Sequence, residues 1–443
     1  MNKKEFDIVI IGGGVAGVSI AEIFSRNKFN VCLIEKNPKL CQETSGSHHG
    51  WFHFGSLYSI FPGNKFLKEF LKNIKIVIKY YSHFKGMNLF IDKNGKLSLK
   101  EKDKQWIRDE RINYVVASRN DKDFNLLKFD GIISYLRKIF FVLTWEIAIK
   151  RFVSRHNKFH KNNWNYDNSE EYITSSWLRN YGKINIKKTK IKETNLNPNT
   201  HFDIEGFDRP MNSVNIINDL VNSILSNKGK ILTNSKVVKI DKGPLKKIFL
   251  ENGNEIFSKI VVVSSGKFSS EMIGNKIRTK VMASPLLVAY PCLTEKNFVR
   301  MTPFIDKSIN HLYHETDGKK YSLIGGGYFA KPNDKMEMDK VKNDLLKRAS
   351  NTFPNLKKSK ILKHYFSYKT EFTSNNRNYL YSINEVSENF YSIIPGKFTL
   401  SFSLAVNFYK KITKKEPSIN KKINNSIKTE DYIDKMNHSK LIN

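Results

Sequence analysis

A chain of 443 residues with 40% hydrophobic content is long enough for two domains or one large composite, and that excludes a disordered polymer and a small disulfide-stapled scaffold. Three scattered cysteines, Cys32, Cys41 and Cys292, exclude a disulfide framework and a Cys-x-x-Cys metal site. The formal net charge of +33 favours anionic partners, but lysine recurs everywhere, Lys183 to Lys192 included, so a bias of the whole chain explains it better than a dedicated nucleic-acid face does.

Met1 to Phe6 is polar and an apolar run follows at once, so no secretory signal is expected and a cytoplasmic protein is. Phe6 to Ile11 reads as a buried parallel strand, closed by Gly12-Gly13-Gly14-Val15-Ala16-Gly17. Gly12 suits the tight turn, Gly14 a close backbone approach to a pyrophosphate, and Gly17 the packing of a helix on the strand. A helix over Val18 to Ser25 would aim its positive end at the diphosphate. Val31 to Ile34 forms the second strand, and Glu35 stands where a carboxylate accepts ribose hydroxyls.

Glu43 to Gly55 crowds glycine, hydroxyl and imidazole, a composition for backbone running beside a ligand. Helical spacing follows from Phe66 to Phe84, then a hairpin at Leu89 to Gly95. Asp103 to Tyr181 mixes its periods and reads as insertions and helices of a substrate domain. No apolar run reaches the roughly 18 residues that span a bilayer, and Ile139 to Ile149, interrupted by Glu146, reads as a half-buried helix, or else as an interfacial one. Val214 to Leu225 is an amphipathic helix. Lys230 to Thr233, Lys236 to Ile240 and the Ile248 to Phe257 hairpin lead into Lys259 to Gly266, a second buried strand ending in small residues. Val281 to Thr302 and His311 to Tyr328 alternate as antiparallel strands. Lys340 to Thr352 and Ser403 to Lys411 are helices around a strand at Phe390 to Ile394, and Thr413 to Asn443 reads as a polar, mobile tail.

The glycine turn with Glu35, the Thr44-Ser45 pair, the Val261 to Gly266 strand and Gly396-Lys397-Phe398-Thr399 together resemble the FAD-dependent oxidoreductases of the D-amino acid oxidase (DAO) family. The resemblance implies an α/β fold: a Rossmann-like FAD-binding domain, discontinuous over 1–90, 205–280 and 375–415, with a mixed-sheet substrate domain over 91–204 and 281–374 and a tail over 416–443. It also implies FAD as cofactor, bound by Gly12, Gly14, Val15, Ala16, Gly17, Glu35, Lys36, Thr44, Ser45, Val237, Gly266, Gly396, Lys397, Phe398 and Thr399. Gly50, His53 and Gly55 match a stretch of the 2-hydroxy-acid members, in which His48 and His49 stand where the family has Asn-Ser. Lys397 is similar to a substrate-carboxylate lysine of sarcosine-oxidase-like members. It lies one residue nearer its glycine, so the flavin carbonyl edge is its other expected target.

The implied activity is oxidation of a C–N or C–O bond in a small anionic amine, amino acid or hydroxy acid, with oxygen or quinone as acceptor. His53, Lys397 and Arg300 are the catalytic candidates, Arg300 as a bidentate carboxylate clamp. Arg377, Tyr290, Tyr313 and Tyr328 are further pocket candidates, and His48 or His49 could anchor flavin covalently. Alternative readings keep the fold: a flavoenzyme that modifies tRNA, or a dehydrogenase peripheral on the inner membrane face feeding quinone. A flavin-binding protein without catalysis is the third.

Overall fold

The computed structural model describes residues 5–61, 65–95, 97–117, 132–161, 187–188, 191, 193–198, 200–274, 279–302, 308–327, 329–372, 380–419 and 427–442. One sheet is built on the Glu5–Ile11 strand, which pairs in parallel with Val31–Ile34 on one side and Glu255–Val263 on the other. Lys230–Leu232 extends the first edge in parallel. On the other side of Glu5–Ile11 the nine-residue Glu255–Val263 strand is long enough to pair with two further strands. Its first half runs antiparallel to Lys246–Leu250 and its second half parallel to Phe390–Ile394. The return to the nucleotide-binding sheet expected from Lys259 to Gly266 is therefore real.

The central strand shows why the opening run is continuously apolar. Ile8 and Ile10 face one core with the Val15–Arg26, Ser213–Ser226 and Ser401–Thr413 helices, whereas Phe6, Val9 and Ile11 face a second with Cys32, Val237 and Val261. Both faces are covered, so period-two alternation gives way to an unbroken apolar run. The first helix is buried along its whole length and carries an ion pair between Glu22 and Arg26 at 3.2 Å, completed by the Ser223 hydroxyl and the Tyr80 carbonyl.

A second sheet of eight strands runs in spatial order 361–372, 279–290, 319–326, 309–316, 298–301, 113–117, 201–205 and 187–188. Alternation divides its faces: Phe298 and Val115 pack toward the Lys335–Thr352 helix, and Val299, Met301, Tyr114 and Val116 toward the 30-residue Ile132–Lys161 helix. That helix replaces the shorter one expected around Ile139. It buries Phe152 and Val153 and leaves Leu136, Ile139, Phe140 and Ile147 exposed. No helix among the described residues is long and apolar enough to cross a membrane.

The C-terminal segment corrects the expected mobile tail. Over residues 427–442 it lies across both sheets: Leu40 N–H donates to the Tyr432 carbonyl, Asn437 N–H to Gly46, and the Asn437 amide to Gln42 O and Ser47 Oγ. Buried His438 Nδ1 shares a hydrogen bond of 2.7 Å with the Tyr321 hydroxyl, and Ile442 packs with Leu286 and Val288. Polar composition hid this strap, because most of its anchoring is through hydrogen bonds rather than an apolar face.

Candidate active site

A cavity of about 1020 Å³ runs from the glycine turn to the second sheet. Its size lies at the upper limit for one ligand and leaves room for a dinucleotide with a small molecule beside it. At one end it is lined by Gly12, Gly14, Val15 and Ala16 at the mouth of the first helix, with Glu35, Lys36, Thr44 and Ser45 opposite. Gly12 has a φ of +110°, and a Cβ there would meet the Ser264 backbone at 2.8 Å. Gly14 faces Ser45 Oγ, which a Cβ would approach to 3.3 Å, and that hydroxyl accepts from Val15 N–H at 3.0 Å. Gly17 differs: a Cβ there would lie 2.0 Å from the Gly12 carbonyl. Gly17 is thus a packing glycine that does not line the cavity, a correction to its place in the expected binding set.

Glu35 closes this end by accepting from Gly13 N–H at 2.7 Å and Asn37 N–H at 2.8 Å. Burial raises its carboxyl above the usual range against the pull of those N–H groups. Lys36 Nζ sits 3.3 Å above the Phe268 ring. Val237, Gly266, Gly396, Lys397 and Phe398 all line the cavity as expected. Thr399 does not: it is fully buried, accepting from His53 N–H at 3.1 Å and so tying the histidine strand to the start of the last helix. Thr44 donates to the Tyr368 carbonyl at 2.5 Å, joining the two sheets beside the cavity. Cys41 lines the same end, its thiol pushed up by burial.

At the other end stands His53, 8% exposed, boxed by the rings of Trp51, Tyr58 and Phe70 at centroid distances of 5.3, 5.5 and 5.7 Å. Its Nδ1 lies 3.7 Å from Asp208 Oδ2. Asp208 is fully buried and accepts from the backbone N–H groups of Phe54, Gly55, Ser56 and Leu57 and from the Tyr114 hydroxyl. Burial alone would raise its carboxyl, but His53 first, then the Tyr114 hydroxyl and the Phe54 N–H, hold it below the usual range. Burial pulls the His53 imidazole below its ordinary value, and the ammonium groups of Lys397 and Lys369 pull the same way against Asp208. His53 is therefore neutral at neutral pH.

His48 accepts from Gly50 N–H at 2.8 Å through Nδ1 and meets Ser213 Oγ at 3.0 Å through Nε2, so both ring nitrogens are engaged within the chain rather than offered as a covalent anchor. His49 Nδ1 accepts from the Trp51 indole, and its Nε2, beside the cavity, is buried with no hydrogen-bond partner among the described residues. Arg300 stands apart. Its neighbours Val299 and Met301 line the cavity, and strand alternation sends Arg300 to the opposite face, where Nε donates to His201 Nε2 at 3.0 Å. The expected carboxylate clamp is corrected accordingly. Tyr313 bonds Glu110 under the Arg108 guanidinium, away from the cavity, and Tyr290 does not line it either. Tyr328 and Arg377 lie outside the described residues.

Sequence reasoning missed Asp208 and Lys369. Gly206 and Pro210 mark a turn around Asp208, yet nothing local tells a surface turn acid from one that caps four amides of a distant loop. Lys369 is one lysine among many.

Residues 7–127 match the sequence profile of the DAO family, described as FAD dependent oxidoreductase. Over that N-terminal part the chain resembles this family. Among curated relatives, the chain is 29% identical over 105 residues to the mitochondrial L-2-hydroxyglutarate dehydrogenase of Nematostella vectensis, 23% of this chain and 22% of that one. It is 45% identical over 49 residues to the glycerol 3-phosphate oxidase of Mycoplasma pneumoniae, 11% and 13% of the two. The matches thus span about a fifth or less of those relatives' lengths. The fold extends further. The dithionite-reduced L-α-glycerophosphate oxidase of M. pneumoniae, with FAD bound, superposes at a TM-score of 0.61 over 96% of this chain and all of that one, at 15% identity. The family's cofactor fits the residues present: a bare cradle at Gly14 before a helix N-terminus, with Glu35 across it, is built for a dinucleotide.

Proposed function

We propose that this protein oxidises a C–O or C–N bond of a small anionic hydroxy acid, amine or amino acid. The observation that carries the reading is His53, neutral and facing the cavity, with a carboxylate behind it and two ammonium groups beside it. FAD, held by the Gly12 to Ala16 turn, Glu35, Ser45 and Val237, would supply the two-electron acceptor for the donor's hydride. Asp208 orients the imidazole and stabilises its protonated form, so His53 Nε2 can take the hydroxyl or amine proton. Lys397 and Lys369 balance the substrate's negative charge and hold it near the imidazole. The names of the curated relatives favour the alcohol: hydroxyglutarate and glycerol 3-phosphate each join a hydroxyl to an anion. Oxygen and quinone are the two acceptor classes to compare.

The absorption spectrum of the purified protein, before and after denaturation, tests the cofactor. Flavin bands that leave with the small molecules are expected, given the occupied nitrogens of His48; no bands even after FAD addition would overturn the reading. Lys397→Met should retain FAD and slow its anaerobic reduction by anionic hydroxy and amino acids at least tenfold. Unchanged reduction would remove Lys397 from the site.

A further inference from the structure

The substrate half of the cavity is far less polar than a site for a small hydrophilic metabolite needs to be. Opposite Lys369 and Lys397 its wall is formed by Trp51, Tyr58, Phe61, Trp145, Ile147 and Met301. Four separate elements contribute, the short Trp51–Phe52 strand, the Leu57–Ile60 turn with Phe61 after it, the long helix and the second sheet, so the apolar lining is not an accident of one segment.

The wall is also braced. Arg155 donates to the carbonyls of Ser59 at 2.6 Å and Phe61 at 3.1 Å, and Arg151 to Ile60 at 3.2 Å, locking the helix to the turn. The Trp145 indole donates to the Ala117 carbonyl, which fixes its ring against the sheet. A preformed apolar wall loses little order when a ligand covers it. Ile147 lines the cavity and is also 41% exposed, so the apolar lining runs out to the mouth.

Building on the proposed function, we infer that the substrate is an amphipathic anion: a carboxylate or phosphate end beside Lys369, Lys397 and His53, and a bulky alkyl or aryl body laid along Trp145, Ile147 and Met301. Lys369, over the Phe329 ring at 4.9 Å, marks where the charged end stops and the apolar region begins. A substrate of two or three carbons would leave this wall wet. Each methylene buried there adds about 0.8 kcal/mol, or roughly fourfold in affinity.

Calorimetry and indole fluorescence on the purified holoprotein, with acetate, butyrate, hexanoate, octanoate and phenylacetate as probes, test the inference. Affinity should rise about fourfold per added methylene, and phenylacetate should outbind acetate at least 30-fold. Ile147→Asn, at a half-exposed position, and Trp145→Ala should flatten that slope, weakening octanoate far more than acetate. Lys369→Met should weaken every probe by a similar factor. Affinity that stays flat or falls with length in the wild-type protein overturns the inference. Flavin content, read from each sample's spectrum, separates the two readings: a rising slope without flavin removes only the oxidoreductase reading, and flavin without a slope removes only the amphipathic substrate.

Discussion

His53 has two opposed neighbourhoods, and their balance sets its behaviour. Burial and the nearby ammonium groups favour the neutral ring, whereas Asp208 at 3.7 Å favours the charged one. Its titration should therefore lie below the ordinary histidine value near 6.5, with the base form present above that point and lost as pH falls through it. Asp208→Asn removes the carboxylate that opposes those ammonium groups among the described residues and should move the titration further toward acid. Because Asp208 also caps four amides, Tyr114→Phe is the gentler companion: it deletes one donor to Asp208 and should move His53 slightly the other way, toward neutrality. Imidazole resonances of labelled histidine, assigned to His53 by loss in His53→Gln, report both shifts. A His53 titration unchanged in both variants would detach Asp208 from it.

At the scale of elements, the glycines of one turn should separate by consequence. Gly14→Val should fold and lose flavin, because the added group enters the space before the helix. Gly17→Val should destabilise the fold itself, at or above the roughly 3 kcal/mol upper end of ordinary overpacking, because the Gly12 carbonyl stands 2.0 Å from the new Cβ. Thermal unfolding with flavin spectra on both variants checks the split, and equal unfolding temperatures would contradict it. This turn was legible in the sequence because strand, turn and helix are adjacent in the chain and each residue's task is local. Asp208 serves Phe54 to Leu57 across some 150 residues, and Trp145 meets the site through a helix whose mixed pattern reflects one face on the sheet and another in the cavity. Arg300 misled for a related reason: a strand can be recognised from composition, but which of its faces meets the cavity depends on the register of the whole second sheet. The C-terminal strap was invisible for want of an apolar signal. Deleting 427–443 should loosen the Lys39–Ser47 loop it grips, so that flavin dissociates faster and the protein unfolds at lower temperature; unchanged flavin release would confine the strap to the surface.

The whole molecule joins a high positive charge to an unusual number of buried neutral histidines, and acid acts on both. Burial pushes His48 and His438 down to about 3 and His311 to about 4. In the unfolded chain each titrates near 6.5, so their folded-state values are depressed. The unfolded state then binds more protons at every pH between, and the stability they contribute is present above about 6.5 and lost as pH falls toward 4. Each such group costs about 1.4 kcal/mol per pH unit in that window. His438 carries a further consequence, because its protonation sets a charge in a buried site, 4.7 Å from the His314 ring and against the Tyr321 hydroxyl. The strap should accordingly be the first element released. Urea midpoints measured from pH 7 to 4.5 should fall steadily below 6.5, and less steeply in His311→Gln. Limited proteolysis at pH 5 should cut within the strap before the sheets, and a strap as resistant at pH 5 as at pH 7 would show that His438 does not govern its release.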